Sequence, residues 1–357
     1  YTPTVIKLNK KTNQKILALG ANQKSTISIV FEDKLVLSPH IGDLNSIESV
    51  EYFERTIDTF KRFYDFEPKI VICDMHPNYE STKWAKSKYS DKLVFVQHHY
   101  AHILSTMAEY KVEDKVLGIA FDGTGYGDDG NIWGGEIFIC DKKSYERAYH
   151  LKYFKLLGNE KAVKEPKRIA LALLFDIYDL EKVKEVNNNF LKAFTNKEIE
   201  LYYTMYSKNL NTSSTSSMGR LFDAVASFAG INHTQTYEGE TGLNIEECYD
   251  EKIKDSYDIS IENSEISIEN MIKQMIIDNN KIIISSKFIN TIVKLIVNIS
   301  DSHKSLPVVL SGGVFQNKAL TQKVISELKS RSRVVLFSKD IPVNDGGISI
   351  GQAYHLV

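Results

Sequence analysis

Cysteine is almost missing from this 357-residue chain, which carries only Cys73, Cys140 and Cys248. An odd and widely spaced set of three cannot form a disulfide framework, and no Cys-x-x-Cys pair is there to hold zinc or run thiol redox chemistry. A reducing, cytoplasmic setting is the expectation. An excess of either charge is missing too: 44 Lys and Arg stand against 46 Asp and Glu, for a net charge of −2 and a pI of about 6.6. That balance is unlike the basic footprint of a dedicated nucleic-acid binder. No unbroken apolar run approaches the roughly 18 residues of a membrane span. Tyr1-Thr2-Pro3-Thr4 has neither the basic start nor the apolar stretch of a signal peptide. A soluble chain is expected, with neither nucleic acid nor membrane as partner. An initiator Met is also lacking, so the chain is expected to be a piece of something longer. Arginine is scarce, seven of the 44 basic residues. Where a site must fork onto carboxylate or phosphate, Arg is preferred, so Arg168 and Arg220, which lie inside Pro- and Gly-marked motifs, stand out.

What is present is an ordinary globular composition, 43% hydrophobic and 25% charged, which excludes disorder and low complexity. Its length suggests two or three compact units. Strands and helices alternate. Residues 16–19, 26–31 and 34–37 read as three short strands, with turns at Gly20 and Glu32-Asp33. A helix over 44–64 follows, then a strand at 70–73, a helix over 81–89 capped by Ser81, a strand at 93–96 and a helix over 98–110. The pattern restarts with a strand at 116–121, a Gly-rich turn over 122–130 and a returning strand at 132–140. It closes with a strand at 308–310, a helix over 317–329, a strand at 334–337 and a last helix from Gly347. The stretch 155–305 reads as mostly helical, with a loop at Asn187-Asn-Asn189 and a polar ordered loop at 211–217 that caps the next helix. The expected fold class is therefore α/β: a duplicated two-lobe actin/Hsp70/sugar-kinase-like (ASKHA) fold with an interlobe nucleotide cleft and helical insertions. Its lobes span 1–112 and 113–357, the latter with a helical insertion at 155–305.

Several strings carry chemistry. Val96-Gln-His98-His99-Tyr-Ala-His102 places three of nine histidines within five residues. On a helix His98 and His102 share a face and can grip one metal ion, while His99 points elsewhere. A helix start with solvated or capping histidines is the competing reading. No Glu follows the first His, so protease chemistry is disfavoured. In Asp122-Gly-Thr-Gly-Tyr-Gly127 the repeated Gly lets backbone N–H groups approach an anion, and Asp122 can reach a metal; an ordinary hairpin turn competes. Ser311-Gly-Gly-Val-Phe-Gln-Asn317 joins strand to helix, where a helix N-terminus favours phosphate. Asn344-Asp345-Gly346-Gly347 offers a carboxylate on a flexible turn. Lys164-Glu-Pro166-Lys-Arg168 opens a helix that either holds an anion or is simply a solvated basic start. No cysteine has the spacing of a nucleophile.

Taken together, these strings resemble the TsaD-like (Kae-like) carbamoyltransferase domain of the HypF family of [NiFe]-hydrogenase maturation proteins. The resemblance runs in order through Leu17-Ala-Leu-Gly-Ala21, Ser38-Pro-His-Ile-Gly-Asp-Leu44, Asp74-Met-His-Pro77, Val96-Gln-His-His-Tyr-Ala-His102, Phe121-Asp-Gly-Thr-Gly-Tyr-Gly127, Trp133-Gly-Gly-Glu136, Glu165-Pro166, Met218-Gly-Arg-Leu-Phe-Asp-Ala224, Tyr237-Glu-Gly239, Ser311-Gly-Gly-Val-Phe-Gln-Asn317 and Asn344-Asp-Gly-Gly-Ile348. It is weak over about 245–300.

The resemblance implies a divalent metal on His98, His102, Asp122 and Asp345, which also carry the catalysis, with Zn or Fe ahead of Mg or Mn. It implies ATP or AMP in the cleft as carbamoyladenylate. Gly123, Thr124, Gly125, Gly127, Gly312 and Gly313 are expected to cradle the phosphate, with Arg220 also on the nucleotide. Asp223 and Glu238 are expected on ribose or adenine edges, and Gln316 and Asn317 as directional hydrogen-bonders. The implied acceptor is the C-terminal cysteine of HypE, on the way to the cyanide ligand of iron. A YrdC-like adenylating domain is a further implied partner, and adenylate formation is expected to be lost or severely impaired without it. Three other readings compete: a threonylcarbamoyl-type transferase acting on a small molecule or tRNA, a non-catalytic docking module for HypE, and a sugar kinase or ATPase.

Overall fold

A hairpin opens the computed structural model, which describes residues 4–357. Tyr1-Thr2-Pro3, named above for their lack of a signal pattern, lie outside the described residues. Strands β1 (Thr4–Ala18) and β2 (Ser28–Leu37) pair antiparallel. The sequence pattern cuts this region into three strands with a turn at Glu32-Asp33, whereas the structure keeps 28–37 continuous. Glu32 takes a left-handed conformation (φ 51°) opposite Thr12, and a register shift absorbs the irregularity as a bulge. Helix α1 (Ile47–Phe63) starts at a capping box between Ser46 and Ser49 and buries Phe53, Ile57 and Phe60. Strand β3 (Ile70–Asp74), helix α2 (Glu80–Tyr89), strand β4 (Leu93–Val96) and helix α3 (His98–Tyr110) follow. Ser81 is not the cap of α2. Tyr79 holds that position, and Ser81 is the second helical residue, fully buried.

The second sheet repeats this logic. Strands β5 (Val116–Tyr126) and β6 (Ile132–Cys140) pair antiparallel, and β7 (Tyr145–Leu151) pairs antiparallel with β6. The Gly-rich segment expected to be a turn over 122–130 is strand as far as Tyr126, and only the tip near Asp128-Asp129-Gly130 turns. A mostly helical stretch follows: β8 (Phe154–Leu157), α4 (Glu160–Lys164), α5 (Lys167–Phe175), α6 (Leu180–Glu185), α7 (Asn196–Ser207), β9 (Thr212–Thr215), α8 (Met218–Phe228) and α9 (Glu240–Glu247). Then come β10 (Ser260–Glu262), β11 (Glu265–Ser267), α10 (Glu269–Met275), α11 (Lys281–Ser302), β12 (Val308–Ser311), α12 (Lys318–Ser330), β13 (Val335–Phe337) and α13 (Ile348–Tyr354). The polar stretch 211–217 is thus largely a strand, and its last residue, Ser217, caps α8 by accepting the Arg220 N–H.

The first sheet runs β2-β1-β3-β4 and the second β10-β11-β7-β6-β5-β12-β13. In each, an antiparallel hairpin is continued by two parallel strands: β3 and β4 beside β1, β12 and β13 beside β5. That is the duplicated two-lobe α/β fold. The central helices are exchanged between the halves. α3 packs on β5 and β12 of the second sheet, while α13, from the far end of the chain, packs on β1 and β2 of the first. The two helices cross so closely that a Cβ added to Gly351 would fall on the Ala101 carbonyl. Buried hydrogen bonds tie α13 and the turn before it to the loop between β1 and β2: Thr26 Oγ1 donates to the Gly346 carbonyl at 2.9 Å, and the Gly20 N–H donates to Gln352 Oε1 at 2.8 Å.

One element departs from the expectation that no segment suits a membrane. Among the described residues α11 is long and apolar enough to span one by composition. Its polar residues break every run, so no run of 18 appears in the sequence. In the fold 72% of its most apolar window is buried, where Phe288, Ile292 and Ile296 join the main core.

Candidate metal and nucleotide site

Helix α3 begins where Gln97 turns its side-chain oxygen onto the Tyr100 N–H at 2.8 Å. His98 and His102 then sit one turn apart on the face toward the cleft. Asp122 reaches the same point from β5. Between Phe121, opposite Gly135, and Gly125, opposite Trp133, the register shifts, and this bulge re-aims Asp122 into the cleft. The Gly313 N–H fixes its Oδ1 at 2.8 Å. Asp345 arrives on the short turn that precedes α13.

His98 Nε2 stands 3.7 Å from both Asp122 Oδ2 and Asp345 Oδ1, and His102 Nε2 stands 3.9 and 3.5 Å from the same two atoms. All four ligand atoms lie within 4.8 Å of one another, and all four residues are buried. These separations exceed a hydrogen bond. Ligands held roughly 2.1 Å from a shared tetrahedral ion would stand about 3.4 Å apart. The nitrogens His98 Nε2 and His102 Nε2 are buried with no hydrogen-bond partner, a state that native interiors rarely leave unexplained. The set therefore fits a divalent cation, and its mixed N/O character suits Zn, Fe or Mn without choosing among them.

Asp74 completes the arrangement. Its Oδ2 accepts the Nδ1–H of His98 at 2.8 Å and its Oδ1 accepts the His76 N–H at 2.8 Å. A carboxylate behind a ligating imidazole fixes the tautomer that presents Nε2 as a lone pair. Burial opposes charge on His98, but Asp74 and Asp345 more than offset it and raise its pKa well above the usual value. Burial would also lift the Asp122 carboxyl, yet the neighbouring His98 and His102 hold it well below the ordinary range. His99, buried and facing the charge of His98, has its pKa lowered well below the usual imidazole range.

Beside this cluster opens a cavity of about 220 Å³. Asp122 and Asp345 line it, and so do Gly123, Arg220, Asp223, Glu238, Gly313, Gln316 and Asn317. Thr124, Gly125, Gly127 and Gly312 do not. Gly125 packs against the rings of His98 and His99, Gly127 against the Trp133 indole, and Gly312 against the backbone of Phe121. Of the glycines expected to form a phosphate cradle only Gly123 and Gly313 line the cavity, and the Gly313 N–H is already given to Asp122; the others let chain segments approach. Gly219 does the same: a Cβ there would stand 2.8 Å from Gly123 Cα, so α8 lies directly on the cavity floor.

Two expected ligand groups are already engaged. Asn317 caps α12 by accepting the Leu320 N–H at 2.9 Å and donates to the Gly242 carbonyl at 3.0 Å. Asp223, 1% exposed, accepts from Thr241 Oγ1 at 2.6 Å and pairs with Arg220 Nε at 2.7 Å. Arg168 departs further: it is buried on Glu165 at 2.6 Å and over the Tyr202 ring, away from the cavity, so it holds α5 in place instead of an anion.

Sequence reading assigns no role to Asp74, Lys24 or Glu136. Lys24 lines the cavity from the other half of the chain and pairs with Glu238 at 2.9 Å. Glu136 is fully buried, and burial pushes its carboxyl up to about 7 even though Arg147 Nη2 lies 2.8 Å away. Asp74 opens one quoted motif and Glu136 closes another, each a carboxylate at or inside a strand, and that was the one available signal.

The comparisons with known proteins agree along the whole chain. Residues 11–109 match the HypF Kae1-like domain, and residues 118–352 match the carbamoyltransferase Kae1-like domain, second subdomain. The chain belongs to the HypF Kae1-like carbamoyltransferase domain family. The carbamoyltransferase HypF of Synechocystis sp. is 39% identical over 99% of this chain and 48% of its own length. A solved structure of full-length HypF in a phosphate- and nucleotide-bound form superposes with a TM-score of 0.92 at 36% identity, covering 100% of this chain and 57% of that one. HypF from T. kodakarensis gives a TM-score of 0.86 at 27% identity, over 99% and 48%. The chain spans about half the length of the curated HypF relatives it matches.

Proposed function

We propose that this chain is a carbamoyl-transferring domain: it receives carbamoyladenylate in the cavity and passes the carbamoyl group to the C-terminal cysteine thiol of HypE. That product leads to the cyanide ligands of [NiFe]-hydrogenase. The observation that carries the reading is the pair of partnerless buried imidazole nitrogens facing two carboxylates at the edge of a cavity that a nucleotide can share. The nucleotide-bound state of the full-length HypF structure supports placing an adenylate there.

Carbamoyladenylate is a mixed anhydride, so its carbonyl carbon is already activated. The acceptor sulfur bonds to that carbon, the bond from carbon to the phosphate oxygen breaks, AMP departs with its electron pair, and the thiol proton is released to solvent. The chain's part is positioning. The backbone of Gly123 faces the phosphate, the Gly313 N–H holds Asp122 in place, Glu238 takes the ribose hydroxyls, and Arg220, held by Asp223, shapes the wall. His98, His102, Asp122 and Asp345 would hold a divalent ion, which when bound offsets negative charge developing on phosphate or carbamoyl oxygen. No internal nucleophile is needed, in keeping with Cys73, whose thiol burial pushes up to about 12.

The test supplies carbamoyladenylate in situ from a separate YrdC-like domain, ATP and carbamoyl phosphate, and follows carbamoylation of a HypE tail peptide by mass spectrometry. The wild-type chain should transfer. Asp345→Ala should lower transfer roughly 100-fold or more, as loss of several kcal/mol of charge stabilisation requires. Undiminished transfer by a folded Asp345→Ala protein contradicts the proposal.

A further inference from the structure

The cavity is strongly acidic for a site that is to receive a phosphate. Asp122, Asp223, Glu238 and Asp345 line it, against two cations, Lys24 and Arg220. Arg220 is not free to move: it is 6% exposed and its guanidinium is paired with Asp223 at 2.7 Å. Lys24 differs in each respect. Among the described residues it is the one cavity residue that precedes Asp122 in the chain, so it reaches in from the first sheet's side. Its side chain is 32% exposed and that of its partner Glu238 is 44% exposed. An ion pair so open to water adds little stability and can be exchanged.

The backbone beneath Lys24 is fixed, in contrast to its side chain. The Lys24 N–H donates to Asp43 Oδ1 at 2.7 Å, Ser25 pairs with Gly42, and Thr26 Oγ1 binds the carbonyl of Gly346, next to Asp345. The ammonium is thereby tethered beside the metal-ligand carboxylates. Burial works against its charge, but Glu238, Asp345 and Asp122 prevail and raise its pKa, so it is a cation under all ordinary conditions.

We infer that Lys24 is the phosphate ligand of the bound nucleotide, exchanging Glu238 for the phosphate oxygens as the nucleoside monophosphate group arrives. This inference rests on the nucleotide reading above and adds a residue and a rearrangement to it. The exchange replaces a weak exposed pair with a charge-assisted bond to phosphate inside the cavity. It also releases Glu238 to accept ribose hydroxyls. The same carboxylate that pairs with Lys24 then recognises the sugar, and a cation from one half of the chain bridges to a ligand held by the other.

Calorimetric binding of AMP and of adenosine, at fixed salt and saturating divalent metal, tests the exchange with wild type, Lys24→Met and Lys24→Arg. Lys24 is exposed enough for both variants to fold, and matching thermal unfolding checks this. Lys24→Met should weaken AMP roughly tenfold or more, the loss of one charge-assisted contact, and leave adenosine unchanged or tighter, because Glu238 is released. Lys24→Arg should keep most of the AMP affinity. Wild-type-like AMP binding by Lys24→Met overturns the inference while leaving the nucleotide reading intact, and so does an equal loss of AMP and adenosine. A wild-type chain that binds neither overturns both.

Discussion

At one end of the cavity His98 and His102 hold imidazole nitrogens that meet no donor or acceptor, facing Asp122 and Asp345 across 3.5–3.9 Å. Along its wall the polar groups are closed on one another: Arg220 on Asp223, Asp223 on Thr241, Asn317 on both Leu320 and Gly242. A buried polar atom without a partner costs about 1–3 kcal/mol. His98 Nε2 and both ring nitrogens of His102 lie unpaired together at one point, facing two carboxylates, and that concentration marks the point as a ligand site. The wall supplies shape and rigidity; the cluster supplies coordination. The difference separates residues whose loss harms the fold from residues whose loss harms the chemistry.

The largest expected effect lies on the wall. Arg220→Ala strips a buried charge from Asp223 and should lower unfolding free energy in urea by roughly 3–5 kcal/mol, with metal affinity of the folded protein little altered. A loss of metal with unchanged stability would break the distinction. Smaller, and on the other side of it, is Asp74→Asn. The amide can no longer accept from His98 Nδ1 as a carboxylate does, and metal affinity should fall about 10–100-fold, as read by competition with a chromophoric chelator. An unaltered affinity would show that Asp74 merely fills space beneath His98.

Much of this was legible in the chain itself. The helix over 98–110 matches α3 at both ends, because His98 follows a strand and a capping Gln97, and spacing by four on a helix has one geometric outcome. The pairing of Asp122 with Asp345 could be reached only through the resemblance, since the two stand 223 positions apart in the sequence and no local signal links them. Strands β7 to β11 were missed because short half-polar strands are decided by partners distant in sequence, which no window of residues reveals. The bulge at Asp122 was hidden for the same reason, as it depends on β6. Asp74 and His98 are 24 residues apart and Lys24 and Glu238 are 214 apart, so the first contact exists only once β3 and α3 have packed and the second only once both halves are folded. Gly125, Gly127 and Gly312 mislead because glycine marks any close approach of backbone, to a phosphate or to a neighbouring ring.

The most direct test is the number of divalent ions retained per chain after dialysis, measured by plasma mass spectrometry for wild type and for His102→Ala. Both ring nitrogens of His102 lack partners, so its truncation should leave folding largely intact. One ion per wild-type chain and none in the variant is the result predicted. Equal metal content in the two proteins, or none in a folded wild type offered Zn, Fe and Mn, would contradict the assignment of these four residues.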